Sequence, residues 1–404
     1  MMRAQRQSIS AVAAERLAEG AADRSPVLGS VHSFYRYPAR FSPRFAAAAI
    51  DALSAPGDMV LDPYMGGGTT VVEALRAGRR IVGNDLNALA VFVARVKTTR
   101  LSDAEVAAVE AWSGRTVGQM GYRLARQAVA SMLDDRRLKN MDLPRARFIK
   151  KIVAGAIKAV GELPTQASQD FARCAILRTA QWALDGRETH TSLGEFREKL
   201  AWHLTEMLRT SADFWQEPNL ANGLRGDACT LCQGDAAGLA EAPVFANPES
   251  KASLVVTSPP YPGVHVLYHR WQVDGRRETP APYWIANCND GQGASFYNFG
   301  DRHEEDLTTY FESSLRTLRS IRRAMKDGAY IVQMVAFSDP DTQLPRYLDN
   351  MQDAGFVEAI ATHQRAANGA DRIWRTVPGR RWYAVLKGDI AASREVVLVH
   401  RVAD

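Results

Sequence analysis

Cysteine is scarce in this chain, with four in 404 residues. So few exclude a disulfide framework and point to a reducing compartment. Cys229 and Cys232 have zinc-like spacing, but Cys174 and Cys288 supply no second pair nearby, so no metal is expected. Nowhere does the chain run to the roughly 18 consecutive apolar residues that mark a membrane helix. The amino terminus carries Arg3 and Arg6 with no apolar stretch behind them, so no secretory signal is expected. A cytoplasmic location follows as the expectation.

What is present is ordinary globular material: 46% hydrophobic and 24% charged residues. The length suits two domains, or one with a large insertion. A net charge of +5 and a pI near 9.0 fit a polyanionic partner.

Residues 1–25 are rich in Ala, Arg and Glu without a strand signal, and read as a helix or a tail. The segment from His32 to Phe45 is dense in aromatics and arginines, suited to the wall of a pocket, and leads into an Ala-rich helix ending near Leu53. Met59–Leu61 is a short apolar strand. Asp62-Pro-Tyr64-Met-Gly66-Gly67-Gly68-Thr69-Thr70 follows, and then Val71, Val72 and Leu75 at helical spacing. Three glycines let the backbone turn tightly and come close to a ligand. The free N–H groups of the helix start favour a carboxylate or a phosphate. A second strand ends at Asp85, 23 residues after Asp62, where nucleotide-binding βαβ units carry an acid for ribose hydroxyls. The loop is not the dinucleotide fingerprint, because Val71 stands where its last glycine belongs.

From about 101 to 220 the chain turns helix-forming, and reads as a helical insertion broken near Pro144, Pro164 and Gly186. Arg136, Arg137, Lys139, Arg145, Arg147, Lys150 and Lys151 make it either a solvated cap or a nucleic-acid-reading element. Gly226-Asp227-Ala228 comes next; Asp227 suits either an adenine amine or a helix N-cap. Residues 262–302 read as a long loop in which Arg270, Trp271, Arg276 and Arg277 suit base stacking and phosphate contact. Beyond it, helices over 307–325 and 344–354 alternate with strands over 329–335, 356–362 and 382–386, and Arg372 to Arg381 form a basic loop. Alternation of this kind means an α/β fold with a mostly parallel sheet. Only 18 residues follow Leu386, so a separate C-terminal recognition domain is not expected.

The most unusual stretch is Thr257-Ser258-Pro259-Pro260-Tyr261, after the apolar run Leu254-Val255-Val256. Two prolines stiffen the exit from a strand and remove two N–H donors. Ser258 Oγ and the Pro259 carbonyl are then acceptors for the hydrogens of an exocyclic base amine. Tyr261 suits stacking on a flipped base, or a plain surface ring. No histidine–acid pair is placed to make Ser258 a nucleophile.

Together these stretches resemble the S-adenosylmethionine-dependent DNA amino-methyltransferases, which methylate cytosine N4 or adenine N6. The resemblance covers about 30–100 and 222–388. It implies a Rossmann-like methyltransferase domain built from 26–100 and 221–390, with 101–220 inserted. It implies Asp62, Tyr64, Gly66 and Gly68 around the methionine part of S-adenosyl-L-methionine, and Thr69 or Thr70 on its carboxylate. It further implies Asp85 on the ribose, Asp227 on the adenine, and Phe41, within Tyr37-Pro-Ala-Arg-Phe-Ser-Pro43, in contact with the cofactor. Ser258, Pro259, Pro260 and Tyr261 become the catalytic motif. Serine at its head resembles the cytosine-N4 form, while aspartate is commoner in adenine enzymes. The implied partner is double-stranded DNA in the nucleoid, with a homodimer and a cognate restriction or defence system as further expectations. An adenine-N6 enzyme, an RNA methyltransferase and a non-catalytic nucleic-acid-binding module are the competing readings.

Overall fold

The computed structural model describes residues 7–25, 27, 29–37, 41–120, 132, 134–224, 226–262, 270–275, 277–290, 299–301, 304–361, 372–376 and 394–403. The amino-terminal elements are β1 (Gln7–Ile9), α1 (Ala11–Ala22) and α2 (Pro43–Leu53). Two βα units follow: β2 (Met59–Asp62) with α3 (Thr69–Arg76), and β3 (Arg80–Asp85) with α4 (Ala88–Thr98). The helical stretch contributes α5 (Asp103–Gln119), α6 (Arg147–Val160), α7 (Gln166–Leu184) and α8 (Leu193–Trp215). Then come β4 (Cys229–Gln233), β5 (Ala252–Thr257), β6 (Trp271–Val273), β7 (Arg277–Thr279) and α9 (Ala281–Ala286). The chain finishes with α10 (Thr308–Arg323), β8 (Met325–Ala336), α11 (Pro340–Asp353), β9 (Phe356–Ala361), β10 (Ile373–Thr376) and β11 (Arg394–Val402).

The main sheet runs β1-β9-β11-β8-β5-β2-β3-β4, and β10 pairs with the free part of β11. β4, β3, β2, β5 and β8 are parallel neighbours. β11 is antiparallel to both β8 and β9. Every parallel strand therefore ends at one edge of the sheet, and at that same edge β11 begins. Glu395 lies opposite Ala336, the last residue of β8.

Alternation along the strands feeds two cores. Val60, Ile81, Leu254, Val256 and Val332 join one cluster, while Leu61, Val82, Val255 and Ile331 join the other. The first face carries α1 to α4, and α5 to α9 pack into the same cluster. α10 and α11 cover the second face. The helices over 101–220 thus share a core with the Gly-rich βα units. α7 contributes Phe171, Cys174, Ile176 and Leu177 to it, all essentially inaccessible.

Several sequence expectations need correction. Residues 1–25 hold a strand as well as a helix: β1 is short and gains its stability from pairing with β9. The 262–302 stretch is not one loop, since β6 and β7 pair as a hairpin and α9 follows. β8 starts directly after α10, earlier than residue 329. Arg372 to Arg375 belong to the approach to β10 and to the strand itself, which pairs with β11. The strand expected at 382–386 lies outside the described residues, as do Arg380 and Arg381. The last described strand is β11, a β-branched run that the sequence reading passed over.

Candidate active site

The glycine loop is tied from both sides. Gly66 and Gly68 have φ of +47° and +75°, a region costly for any residue with a Cβ. A Cβ on Gly67 would stand 2.9 Å from Tyr37 Cβ, so the Tyr37 side chain covers the loop closely. Buried Lys97 donates from below to the Gly67 carbonyl. Asp85, at the end of β3, accepts from Gly66 N at 2.8 Å and from Asn87 N at 2.8 Å. Asn87 in turn donates to the Tyr37 hydroxyl at 3.4 Å and accepts from that of Tyr283 at 3.1 Å. Sequence reasoning missed Tyr37, Asn87, Lys97 and Tyr283 as loop supports, because their contacts are long-range.

Asp62 ends β2 and is 1% exposed. Its Oδ1 accepts from Thr257 Oγ1 at 2.6 Å and from Tyr64 N at 3.2 Å. Thr70 Oγ1 donates to the Val256 carbonyl at 3.1 Å. These bonds clamp the tip of β2 to the tip of β5 and hold the two motifs side by side. Burial pushes the carboxyls of Asp62 and Asp85 up to about 6.

The Ser-Pro-Pro-Tyr motif leaves β5 at the same edge. Ser258 Oγ lies 3.0 Å from the Tyr261 hydroxyl, which donates to Glu395 Oε1 at 2.8 Å. Glu395 is ion-paired with Arg375 at 2.6 Å. The Tyr310 hydroxyl donates to the Pro260 carbonyl at 2.7 Å. Tyr310 also contacts Phe299 at a ring separation of 5.6 Å, and Phe299 contacts Tyr64 at 5.9 Å. An aromatic wall therefore runs from the glycine loop to the proline motif. Tyr261 itself is 8% exposed, and its hydroxyl, given no role on sequence grounds, is fully engaged.

Other expected site residues fall elsewhere. Asp227 precedes β4 at the amino end of the sheet, is exposed, and pairs with Arg80 at 3.1 Å. It stands across the sheet from the glycine loop, because Ile81 at the start of β3 pairs with Cys229 at the start of β4. The same tripeptide recurs at Gly234-Asp235-Ala236, just beyond the carboxyl end of β4. There Gly234 N donates to the Asp85 carbonyl at 3.1 Å, and Asn84 donates to the Gly234 carbonyl at 3.0 Å. Asp235 is exposed at the start of a 3-10 turn and accepts from Ala237 N at 2.9 Å. The sequence reading named Asp227 alone and did not take up this second copy, which lies at the same edge as the glycine loop.

Thr70 is 0% exposed, and its hydroxyl, bonded to the Val256 carbonyl, clamps α3 to β5. Thr69 is buried at the first turn of α3. Phe41 is buried edge-on against Phe45 at 5.5 Å. Trp271 is a core residue at 1% exposure, with Nε1 donating to Tyr35 at 3.0 Å, so it offers no face for a base. Arg270 is paired with Asp290 at 3.0 Å. Arg276 lies outside the described residues. Arg277 is exposed on β7.

The insertion meets that hairpin: Asn140 donates to the Glu278 carbonyl at 2.7 Å, and Arg145 pairs with Asp274 at 3.4 Å. Arg137 and Lys150 are held internally by Asp135 and Asp142. Arg136, Lys139, Arg147 and Lys151 remain exposed, as does Arg277 on the hairpin. Cys229 and Cys232 pack toward opposite faces of the sheet and cannot converge on one ion. Among the described residues no cluster of three or more His, Cys, Asp or Glu side chains could hold a metal. No described helix is long and apolar enough to cross a membrane.

The strand order, with one antiparallel strand set between the last two parallel ones and a glycine loop at the end of β2, defines a Rossmann-like methyltransferase fold. Residues 13–94 match the DNA methylase family N6_N4_Mtase, a region that includes Asp62, the glycine loop and Asp85 and stops short of Ser258. The type II methyltransferase M.MvaI of Kocuria varians is 25% identical over 121 residues, 29% of this chain and 25% of that protein. The type II methyltransferase M.MjaII of Methanocaldococcus jannaschii is 31% identical over 67 residues, 17% of this chain and 13% of that protein. These matches support the DNA amino-methyltransferase family for this chain, while spanning a quarter or less of either relative. Among solved structures, the rRNA methyltransferase aviRa of Streptomyces viridochromogenes aligns with a TM-score of 0.35 at 12% identity, over 94% of this chain and 96% of that one. At that score the likeness carries no argument, and the strand order alone carries the fold.

Proposed function

We propose that this protein transfers a methyl group from S-adenosylmethionine to the exocyclic amine of a base in double-stranded DNA, cytosine N4 ahead of adenine N6. The observation that carries this is the clamp between Asp62 and Thr257, 2.6 Å long, which sets the glycine loop beside the Ser-Pro-Pro-Tyr motif. The residues at that edge fit the cofactor: a loop where a Cβ would collide, and two buried acids suited to a ligand bearing positive charge and hydroxyl donors. Asp85 would hold the ribose hydroxyls, Asp235 the adenine amine, and Asp62 with Gly66 to Gly68 the methionine part. When bound, the cofactor supplies an activated methyl on a sulfonium.

The chain's own residues then deal with the base. An exocyclic amine is a poor nucleophile, because its lone pair is delocalised into the ring. Ser258 Oγ and the Pro259 carbonyl accept its hydrogens and draw the nitrogen toward a tetrahedral form. Acceptors fixed in advance are worth more than mobile ones, since no reorganisation is needed during reaction. Serine at position 258 favours cytosine. The exposed cations Arg277, Lys139 and Arg147 suit a phosphate backbone, which supplies affinity without sequence information.

The test is incubation with methyl-labelled S-adenosylmethionine and unmethylated genomic DNA, followed by nucleoside mass spectrometry. Label in N4-methylcytosine is expected. Label in N6-methyladenine would move the substrate to adenine, and label only when RNA replaces DNA would move it to RNA. Tight cofactor binding with no incorporation anywhere would leave a non-catalytic module.

A further inference from the structure

We propose that Glu395, held by Arg375, is a positioning residue for Ser258: acting through Tyr261, it fixes the direction of the serine hydroxyl so that the serine oxygen meets a substrate amine as an acceptor. This rests on the methyl-transfer reading above.

The reasoning concerns hydrogen-bond polarity. A tyrosine hydroxyl has one proton, and a carboxylate only accepts. Glu395 Oε1 lies 2.8 Å from the Tyr261 hydroxyl and takes that proton's bond. Ser258 Oγ, 3.0 Å from the same phenol oxygen, must then be the donor of their shared bond. Its single proton is committed inward, and both lone pairs stay available to the substrate.

Arg375 fixes the other end. Its Nε and Nη2 lie 2.7 and 2.6 Å from Glu395 Oε2. The two residues are direct cross-strand partners on β10 and β11. Arg375 Nη1 also reaches the Ala21 carbonyl at 3.5 Å, near the end of α1. The side chains of Arg375 and Glu395 are 9% and 6% exposed. A buried ion pair adds little net stability over an apolar pair of similar shape, so its presence calls for another reason. Here the oxygen not held by Arg375 faces the hydroxyl of the proposed catalytic motif. The chain direction makes this geometry available, because β11 is antiparallel and starts where β5 and β8 end.

Glu395→Gln keeps the shape and reverses the polarity. Arg375 retains the amide oxygen, so the amide NH2 turns toward Tyr261. The phenol then accepts from it and donates to Ser258, and the serine proton swings toward the substrate. The expected result is a kcat lower by about ten- to a hundredfold, with cofactor affinity close to wild type and a lower melting temperature, because Arg375 loses its charge partner. Tyr261→Phe should lose a similar factor, and the double variant should be no worse than either single, since both act through one proton. Wild-type turnover in folded Glu395→Gln, or additive losses, would overturn the proposal. If Glu395→Gln does not fold, Tyr261→Phe decides: full turnover in that variant overturns it. A second readout is independent of activity. The carbon-13 Cζ resonance of Tyr261, assigned by its loss in Tyr261→Phe, should shift in Glu395→Gln. A shift in a protein that methylates no nucleic acid would keep the network and discard methyl transfer; no shift in the folded variant would discard the network.

Discussion

Two copies of Gly-Asp-Ala flank β4, at residues 226–228 and 234–236, and they sit in opposite surroundings. The first lies at the amino end of the sheet, where Asp227 is exposed and paired with Arg80. The second lies at the carboxyl end, bonded to Asp85 and Asn84 beside the glycine loop. The carboxyl edge also gathers the Asp62–Thr257 clamp and the Ser258–Tyr261–Glu395 chain. An acid's chemistry is thus set by the strand end it occupies, and a tripeptide by itself does not carry it. Parallel sheets bind ligands beyond their carboxyl ends, and this sheet concentrates its buried acids there.

The comparison can be broken at several places. The largest effect is expected at Trp271, which the fold buries away from any base. Trp271→Ala should cost about 3–5 kcal/mol of stability, measured by denaturant unfolding. A folded variant of normal stability that had lost only DNA affinity would return Trp271 to a binding role.

Asp85 comes next. Asp85→Ala should weaken S-adenosylmethionine binding by about 1.5–3 kcal/mol for each hydrogen bond lost to the charged group, with the fold kept. Calorimetry giving unchanged affinity would remove Asp85 from the site.

The same edge predicts a pH dependence. Asp62 and Asp85 are pushed up to about 6 by burial, above the value near 4 of an unfolded chain. Between those values the folded state binds more protons than the unfolded one. These two groups therefore make the ligand-free protein less stable as pH rises from about 4 to 6, and add no further slope above that. A ligand that needs both acids ionised should bind more weakly as pH falls below about 6. Calorimetric titrations on either side of that value should show the drop; flat affinity would mean that neither acid touches the ligand.

The smallest expected effect is at the exposed cations Arg277 and Lys139. Arg277→Ala and Lys139→Ala should each lower the log–log salt slope of DNA binding by about 0.9 if each meets one phosphate. An unchanged slope in both variants would place the DNA elsewhere.

The sequence makes legible what is local. The glycine loop, Asp85 and the strand before Ser258 could be read because each is a strand end beside a turn. Asp235 went unread because β4, Cys229–Gln233, has weak strand propensity, so its carboxyl end, where a second Gly-Asp-Ala begins, was not evident. Trp271 reads as a loop residue because its strand has only three residues and is defined by its partner β7. Glu395 and Arg375 are far from Tyr261 in sequence, and an antiparallel strand brings them to it. Nothing local marks that pairing, although the β-branched run of β11 did signal a strand.

The most direct test of the carboxyl edge as the ligand edge is a paired titration of S-adenosylmethionine into Asp235→Ala and Asp227→Ala, each checked for an unchanged melting temperature. Asp235→Ala should bind about tenfold more weakly or worse, and Asp227→Ala should match wild type. Loss of affinity in Asp227→Ala with none in Asp235→Ala would contradict the assignment.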